Sequence, residues 1–228
     1  MVIDLDKCAA CQACTIACWQ ENNIPHGSPE EHAQRREIYW NKVLAVSRGK
    51  YPHPRIEFLP MPCMHCENAP CVTVCPVKAT YTREDGIVMQ NFRRCIGCRY
   101  CLVACPYNAR NFNYKTPEEK TYHRPDPPPD RDSREPWPFP QRIRGVVEKC
   151  TFCFHRIDRG KKENKTIGVE VVPACVEACP TQARTFGDLE DKNSEVSQLI
   201  KKYKSVNLKN NKGEFLKPDE KGTRPNVY

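Results

Sequence analysis

No apolar run in this 228-residue chain approaches the eighteen or more residues of a membrane-spanning helix, so the sequence predicts no membrane span of its own. There is no G-x-G-x-x-G turn to cradle a dinucleotide and no C-x-x-C-H to attach haem, which leaves no evident place to meet an organic redox substrate. Apolar residues make up 39% and the mean hydropathy is -0.71, modest for the core of one large domain or two small ones. A secretory signal has no room, because the first cysteine motif begins seven residues after Met1. Export beside a signal-bearing partner stays open as an alternative to a cytoplasmic location. With so little apolar material, something else must help hold the fold, and metal-ligand bonds can do so because a site present only in the folded state turns binding energy into folding energy.

Cysteine is abundant. Sixteen residues fall into four groups: Cys8, Cys11, Cys14, Cys18; Cys63, Cys66, Cys71, Cys75; Cys95, Cys98, Cys101, Cys105; and Cys150, Cys153, Cys175, Cys179. Four thiolates hold one 4Fe-4S cluster, so the count suits four clusters with no cysteine left over. A cubane is compact, and thiolates from one loop must sit about three residues apart with small or turn-forming spacers, as in Ala9-Ala10, Gln12-Ala13 and Ile96-Gly97. Pro76, Pro106 and Pro180 follow the fourth cysteine of three groups and end a helical turn, while group one has Trp19 there. Zinc sites need only paired C-x2-C units and give the third cysteine and the proline no role. A disulfide framework belongs to small secreted chains and does not favour four such repeats.

In the bacterial run C-x2-C-x2-C-x3-C-P the fourth cysteine ligates the other cluster of a two-cluster unit. Carried over here, groups two and three pair, giving one set of Cys63, Cys66, Cys71 with Cys105 and another of Cys95, Cys98, Cys101 with Cys75. Groups one and four then pair by elimination, giving Cys8, Cys11, Cys14 with Cys179, and Cys150, Cys153, Cys175 with Cys18. The 21 residues between Cys153 and Cys175 read as a loop insertion, whose closure entropy rises slowly with length. His65 and His155 stand beside ligands, but each group already has four cysteines, so both read as hydrogen-bonding or surface histidines.

The formal charge is +8 with cysteines neutral. Four oxidised clusters with their thiolates contribute about -8, so the basic excess reads as internal compensation and not as a nucleic-acid surface. Residues 201–228 hold eight Lys or Arg against three acids, read as a solvated or partner-covered tail.

The expected fold class is α+β: two fused bacterial-type ferredoxin-like modules with loop-rich insertions and an extended C-terminal tail. Module A comprises 1–18 and 146–190, and module B 60–115. An insertion at 19–59 carries a hairpin of Lys42–Ser47 with Arg55–Leu59, and the turn at Asp85-Gly86 makes a second hairpin inside module B. A Pro-rich insertion at 116–145 has eight prolines. Residues 191–228 form a short helix, with Val196, Leu199, Ile200 and Tyr203 at helical spacing after Asn193-Ser194, and then a tail expected to fray unless another chain holds it.

The runs Ile3–Cys8, Cys95–Tyr107, Glu148–Cys153 and Pro173–Pro180 resemble the four-cluster electron-transfer subunit of complex iron-sulfur molybdoenzymes, over roughly residues 1–190. The stretch between Cys18 and Cys63 is most similar to the polysulfide, tetrathionate and thiosulfate reductase branch. The resemblance implies a non-catalytic subunit that relays single electrons between a large molybdopterin-family subunit and a polysulfide-reductase-type integral membrane subunit that exchanges electrons with quinol. Other partners, such as a multihaem cytochrome, remain open. Some relatives replace a group-three cysteine and hold a 3Fe-4S cluster; here Cys98 and its companions are all present, which implies four 4Fe-4S clusters. The implied location is peripheral to the cytoplasmic membrane within a complex, leaning to the periplasmic side by co-export. Two other readings make different predictions: a freestanding polyferredoxin carrier would be a soluble monomer, and a nucleic-acid protein would show salt-sensitive binding.

Overall fold

The computed structural model describes residues 1–116, 144–203, 208 and 222–228. In chain order the elements are β1 (Val2–Ile3), α1 (Ala13–Glu21), α2 (Pro29–Ala33), β2 (Asn41–Arg48), β3 (Arg55–Pro62), α3 (Pro70–Thr73), β4 (Thr80–Thr82), β5 (Val88–Gln90), α4 (Tyr100–Ala104), β6 (Arg110–Phe112), β7 (Val147–Lys149), α5 (Phe154–Lys162), α6 (Ala174–Glu177), β8 (Arg184–Thr185) and α7 (Glu195–Lys202). The strands form four antiparallel two-stranded ribbons, β1 with β8, β2 with β3, β4 with β5 and β6 with β7. Small helices and small sheets of this kind make an α+β fold.

Each cysteine group carries a short helix at its later cysteines, group four having α5 as well, and these helices lie together in twos: α1 against α6, and α3 against α4. Group one therefore adjoins group four, and group two adjoins group three. The β6–β7 ladder, with Arg110 opposite Lys149, joins the second pair of groups to the start of group four. Both expected hairpins are present. Thr82 faces Val88 across the Asp85-Gly86 turn, where Gly86 takes a φ of 77° that suits glycine. Arg83 at that turn bonds Asp158 of α5 at 3.0 Å, and Lys161 bonds Asp85 at 2.9 Å, so the hairpin is pinned to α5. The β2–β3 hairpin is longer than the expected short strands, at eight residues a side, and its register runs from Asn41 opposite Pro62 to Arg48 opposite Arg55.

Nine of the sixteen cysteines are buried, and they are interleaved with Ile24, Trp40, Val88, Val147 and Phe154 in the core. Trp40 is anchored there by its indole N–H, which donates to Glu148 at 3.2 Å. Helix α7 begins where Ser194 caps the amide of Ser197, as the sequence suggested, and buries Val196 fully. Tyr203 departs from the expected apolar face. It is the C-cap, with an extended backbone, and its ring is exposed.

The chain end also differs from expectation. Residues 222–228 pack on the chain itself: the amides of Glu67 and Asn68 donate to the carbonyls of Arg224 and Thr223 at 3.0 and 3.2 Å, and Asn226 donates to Met64 at 2.8 Å. Ile3 donates to Tyr228 at 2.8 Å. Backbone groups of the group-two loop and of β1 would otherwise lack partners, and this segment satisfies them with Val227 buried beneath it. Most of the Pro-rich 116–145 segment and of the basic tail lies outside the described residues.

Candidate iron-sulfur cluster sites

The ligand loops share one backbone device. The second residue after the first cysteine of each group has a positive φ: Ala10 at 54°, His65 at 42°, Gly97 at 70° and Phe152 at 54°. A left-handed residue in such a turn, followed in group four by a second at Cys153 with φ 52°, points successive amides inward, making a concavity that suits an anionic group. A second device follows the fourth cysteine. Lys78, Asn108 and Gln182, each three residues beyond it, take φ values of 50°, 49° and 51°. This folds the next amide back, so Ala79 donates to the Cys75 sulfur at 3.2 Å and Ala183 to the Cys179 sulfur at 3.3 Å. The alanine at this place is small and buried in all three groups, at Ala79, Ala109 and Ala183.

The sulfurs gather in fours. One cavity is lined by Cys75, Cys95, Cys98 and Cys101, with Gly97 and Val147. A second is lined by Cys8, Cys11, Cys14 and Cys179, with Arg184. In the interior, Cys18 is surrounded by Cys150, Cys153 and Cys175, and the Asn22 amide reaches both the Cys18 and Cys153 sulfurs at 3.6 and 3.8 Å. Cys66 is surrounded by Cys63, Cys71 and Cys105. All sixteen cysteines lack disulfide partners. Among the described residues no three His, Cys, Asp or Glu side chains converge as ligands of a single metal ion would. Thiols spread around a shared space in fours fit a cubane, which takes one thiolate at each iron.

Electrostatics support the same donor chemistry. Burial, and then the neighbouring Cys150, Cys153 and Cys175, push the Cys18 thiol well up. Burial first and Cys63 second push Cys66 and Cys150 up to about 12. The mutual repulsion of Cys150 and Cys63 makes these two buried thiols neighbours. Cys75 and Cys179 behave oppositely: partial burial opposes ionisation, but hydrogen bonds from the returning loop outweigh it and lower both thiols. Two buried arginines, Arg110 and Arg184, stand among these sulfurs with no carboxylate as their principal neighbour. Burying a cation without a counter-charge costs several kcal/mol, so the site requires an anion where the thiols are.

The two histidines are not at the surface. His65 is buried, stacks on Phe152 at 3.7 Å and accepts the Val88 amide at 3.1 Å through Nδ1. His155 is buried against Glu21 at 2.6 Å. Sequence reading missed Arg110, Arg184, Lys149 and Thr223. The repeated Cys-Pro-x-x-Ala-Arg at Cys105–Arg110 and Cys179–Arg184 was a usable signal for the first two; nothing local marks Thr223.

Comparison with known proteins accords with this geometry. Two 4Fe-4S dicluster domain families match residues 54–122 and 94–183. A candidate iron-sulfur subunit of dimethyl sulfoxide reductase from Halobacterium salinarum is 43% identical over all of this chain and 77% of its own length. The iron-sulfur cluster-binding subunit of menaquinone reductase from Nitratidesulfovibrio vulgaris is 40% identical over all of this chain and 86% of its length. One of the chains of polysulfide reductase from Wolinella succinogenes is 35% identical over 97% of this chain and 95% of its length. No helix among the described residues is long and apolar enough to cross a membrane. The chain therefore belongs to the iron-sulfur electron-transfer subunits of the complex iron-sulfur molybdoenzyme family and carries four 4Fe-4S clusters.

Proposed function

We propose that the chain is a four-site electron wire whose ligand sets follow one another in the order one (Cys8, Cys11, Cys14, Cys179), two (Cys150, Cys153, Cys175, Cys18), three (Cys63, Cys66, Cys71, Cys105) and four (Cys95, Cys98, Cys101, Cys75). When bound, each cluster supplies a one-electron couple. The graded exposure of the cysteines carries this reading. Set two is wholly buried and set three nearly so, whereas Cys11 of set one and Cys98 of set four are exposed. Sets two and three meet through Cys63 and Cys150. Sets one and two share residues 1–18 and 146–190 as module A, and sets three and four share 60–115 as module B.

The partners at the two ends are a molybdopterin-type catalytic subunit and a quinone-reactive membrane subunit. Around set four, Ile96, Tyr100 and Val103 are exposed, which supports an apolar contact there. The basic tail between residues 203 and 222 is a further contact for a partner. The assembly lies at the cytoplasmic membrane on the periplasmic face, reached by co-export. A freestanding carrier needs no such surfaces.

Cys18→Ser in the anaerobically purified complex tests the crossed pairing. It stands in group one, yet the loss is expected in the set held by Cys150, Cys153 and Cys175. Cys14→Ser should affect a different spectral component. If both variants remove the same signal, the crossed assignment is wrong. Co-purification with a large and a membrane-embedded subunit supports the wire, and a native mass of the chain alone refutes it.

A further inference from the structure

Arg110 and Arg184 occupy the same place in two repeats, five residues after the fourth cysteine of groups three and four. In both, the left-handed Asn108 or Gln182 returns the chain and the arginine opens the next strand, β6 or β8. The side chain then points inward, and the residues are only 4% and 5% exposed. Group two has Thr80 at this position, and that threonine holds its counterpart: Arg110 Nη1 donates to the Thr80 hydroxyl at 3.3 Å and to Gln90 Oε1 at 3.0 Å. Arg184 Nη2 donates to Asn41 Oδ1 at 2.9 Å and to the Cys14 sulfur at 3.5 Å. The remaining terminal nitrogens, Arg110 Nη2 and Arg184 Nη1, are buried with no hydrogen-bond partner in the chain.

The charges nearest each guanidinium are thiols from two different sets. Arg110 is acted on by Cys71 and Cys63 of set three and by Cys101 of set four. Arg184 is acted on by Cys175 and Cys150 of set two and by Cys14 of set one. Each cation thus stands between the two ligand sets of its own half of the molecule, held by neutral side chains and by ligand sulfurs, with no carboxylate beside it.

We propose that Arg110 and Arg184 are paired potential-setting residues: each raises the reduction potential of the two clusters flanking it, so the four are tuned as two independent pairs. A fixed positive charge favours the more negative, reduced state, and cluster potentials respond to charge and to hydrogen bonds at sulfur. The inference rests on the four-set assignment above.

The experiment is an EPR-monitored redox titration of the intact complex, with iron analysis, for Arg110→Gln, Arg184→Gln and the two Lys variants. Wild type and variants should hold about sixteen iron atoms per chain. Arg110→Gln is expected to lower two of the four midpoints by about tenfold in reduction equilibrium, which is about 59 mV for a one-electron couple. Arg184→Gln lowers the other two. The Lys variants, keeping the charge, shift the same pairs by less than half as much. With iron retained, an absent shift, a shift of all four, or the same pair moving in both variants overturns the proposal. If a Gln variant is short of iron, the Lys variants decide: shifts confined to disjoint pairs support it, and a shift of all four midpoints, or of the same pair by both Lys variants, overturns it. Wild-type iron far below sixteen would sink the ligand sets themselves, a separate failure.

Discussion

Gly97→Ala offers a sharp test of how the ligand loops are built. Gly97 has a φ of 70°, but so does the equivalent place in group one to within 16°, where Ala10 stands at 54° with a side chain. Left-handed backbone alone therefore does not demand glycine here. The demand comes from space: a Cβ at Gly97 would overlap the carbonyl oxygen of Gly145, with Phe112 Cε2 only 3.3 Å away. Gly86 is the natural control, with a φ of 77° and nothing within 4 Å of an added Cβ.

A left-handed non-glycine residue costs about 1–2 kcal/mol, partly offset by about 0.4–1 kcal/mol from the restricted unfolded chain. Gly86→Ala should thus cost about 1 kcal/mol or less. Gly97→Ala adds the displacement of the Gly145 carbonyl at a half-buried backbone contact, about 1–3 kcal/mol more on the scale of overpacking. Loss of clusters makes unfolding irreversible, so the readout is a rate: anaerobic bleaching of the visible absorbance of the complex in denaturant. At about tenfold for each 1.4 kcal/mol, Gly97→Ala should bleach from about fivefold to at most about 140-fold faster than Gly86→Ala. Equal rates for the two variants would refute the steric argument.

Two further variants probe contacts around the sites. Burial alone would raise the Glu21 carboxyl, but hydrogen bonds from His155 and Arg156 hold it well below the usual range. A depressed carboxyl contributes stability that is full above its unfolded value of about 4.5 and is lost as pH falls below it, so Glu21→Gln should flatten the acid limb of the bleaching rate between about pH 5 and 3; an unchanged slope contradicts the network. Thr223 bonds the Cys66 sulfur and also meets the Tyr107 hydroxyl, so Thr223→Val should lower one cluster midpoint and leave three, read by EPR titration; four unmoved midpoints exclude the bond as a tuning element.

The four cysteine groups were legible because iron-sulfur loops are local: C-x2-C spacing, small or turn-forming spacers and the proline stop are all properties of ten or so consecutive residues. The hairpins were legible for the same reason, with Asp85-Gly86 marking one turn. What escaped depends on distance along the chain. The meeting of Arg184 with Asn41, or of Glu67 with Arg224, is set by which loops become neighbours, and no periodicity records that. For His65 the hydrogen-bonding reading holds and the surface one does not: it accepts the Val88 amide and stacks on Phe152, where burial, and then Lys149, push its imidazole well down from the usual value, a contact with residues distant in the chain.

The compensation of charge predicts what iron removal does. In the metal-free chain, burial and neighbouring thiols keep Cys18, Cys66 and Cys150 protonated at neutral pH, the latter two at about 12. The formal +8 is then no longer offset. Arg110 and Arg184 are left buried opposite neutral thiols, and an uncompensated buried cation costs several kcal/mol, comparable with the whole margin of a domain. The fold cannot absorb two such costs while also losing metal-ligand bonds in a core where nine cysteines are buried. Chelation under reducing conditions should therefore expand the chain, abolish near-UV circular dichroism and make it migrate as more cationic by about eight charges. A chelated chain that kept its near-UV signal would show that apolar packing alone sustains the fold, and the arginines would then need another counter-charge.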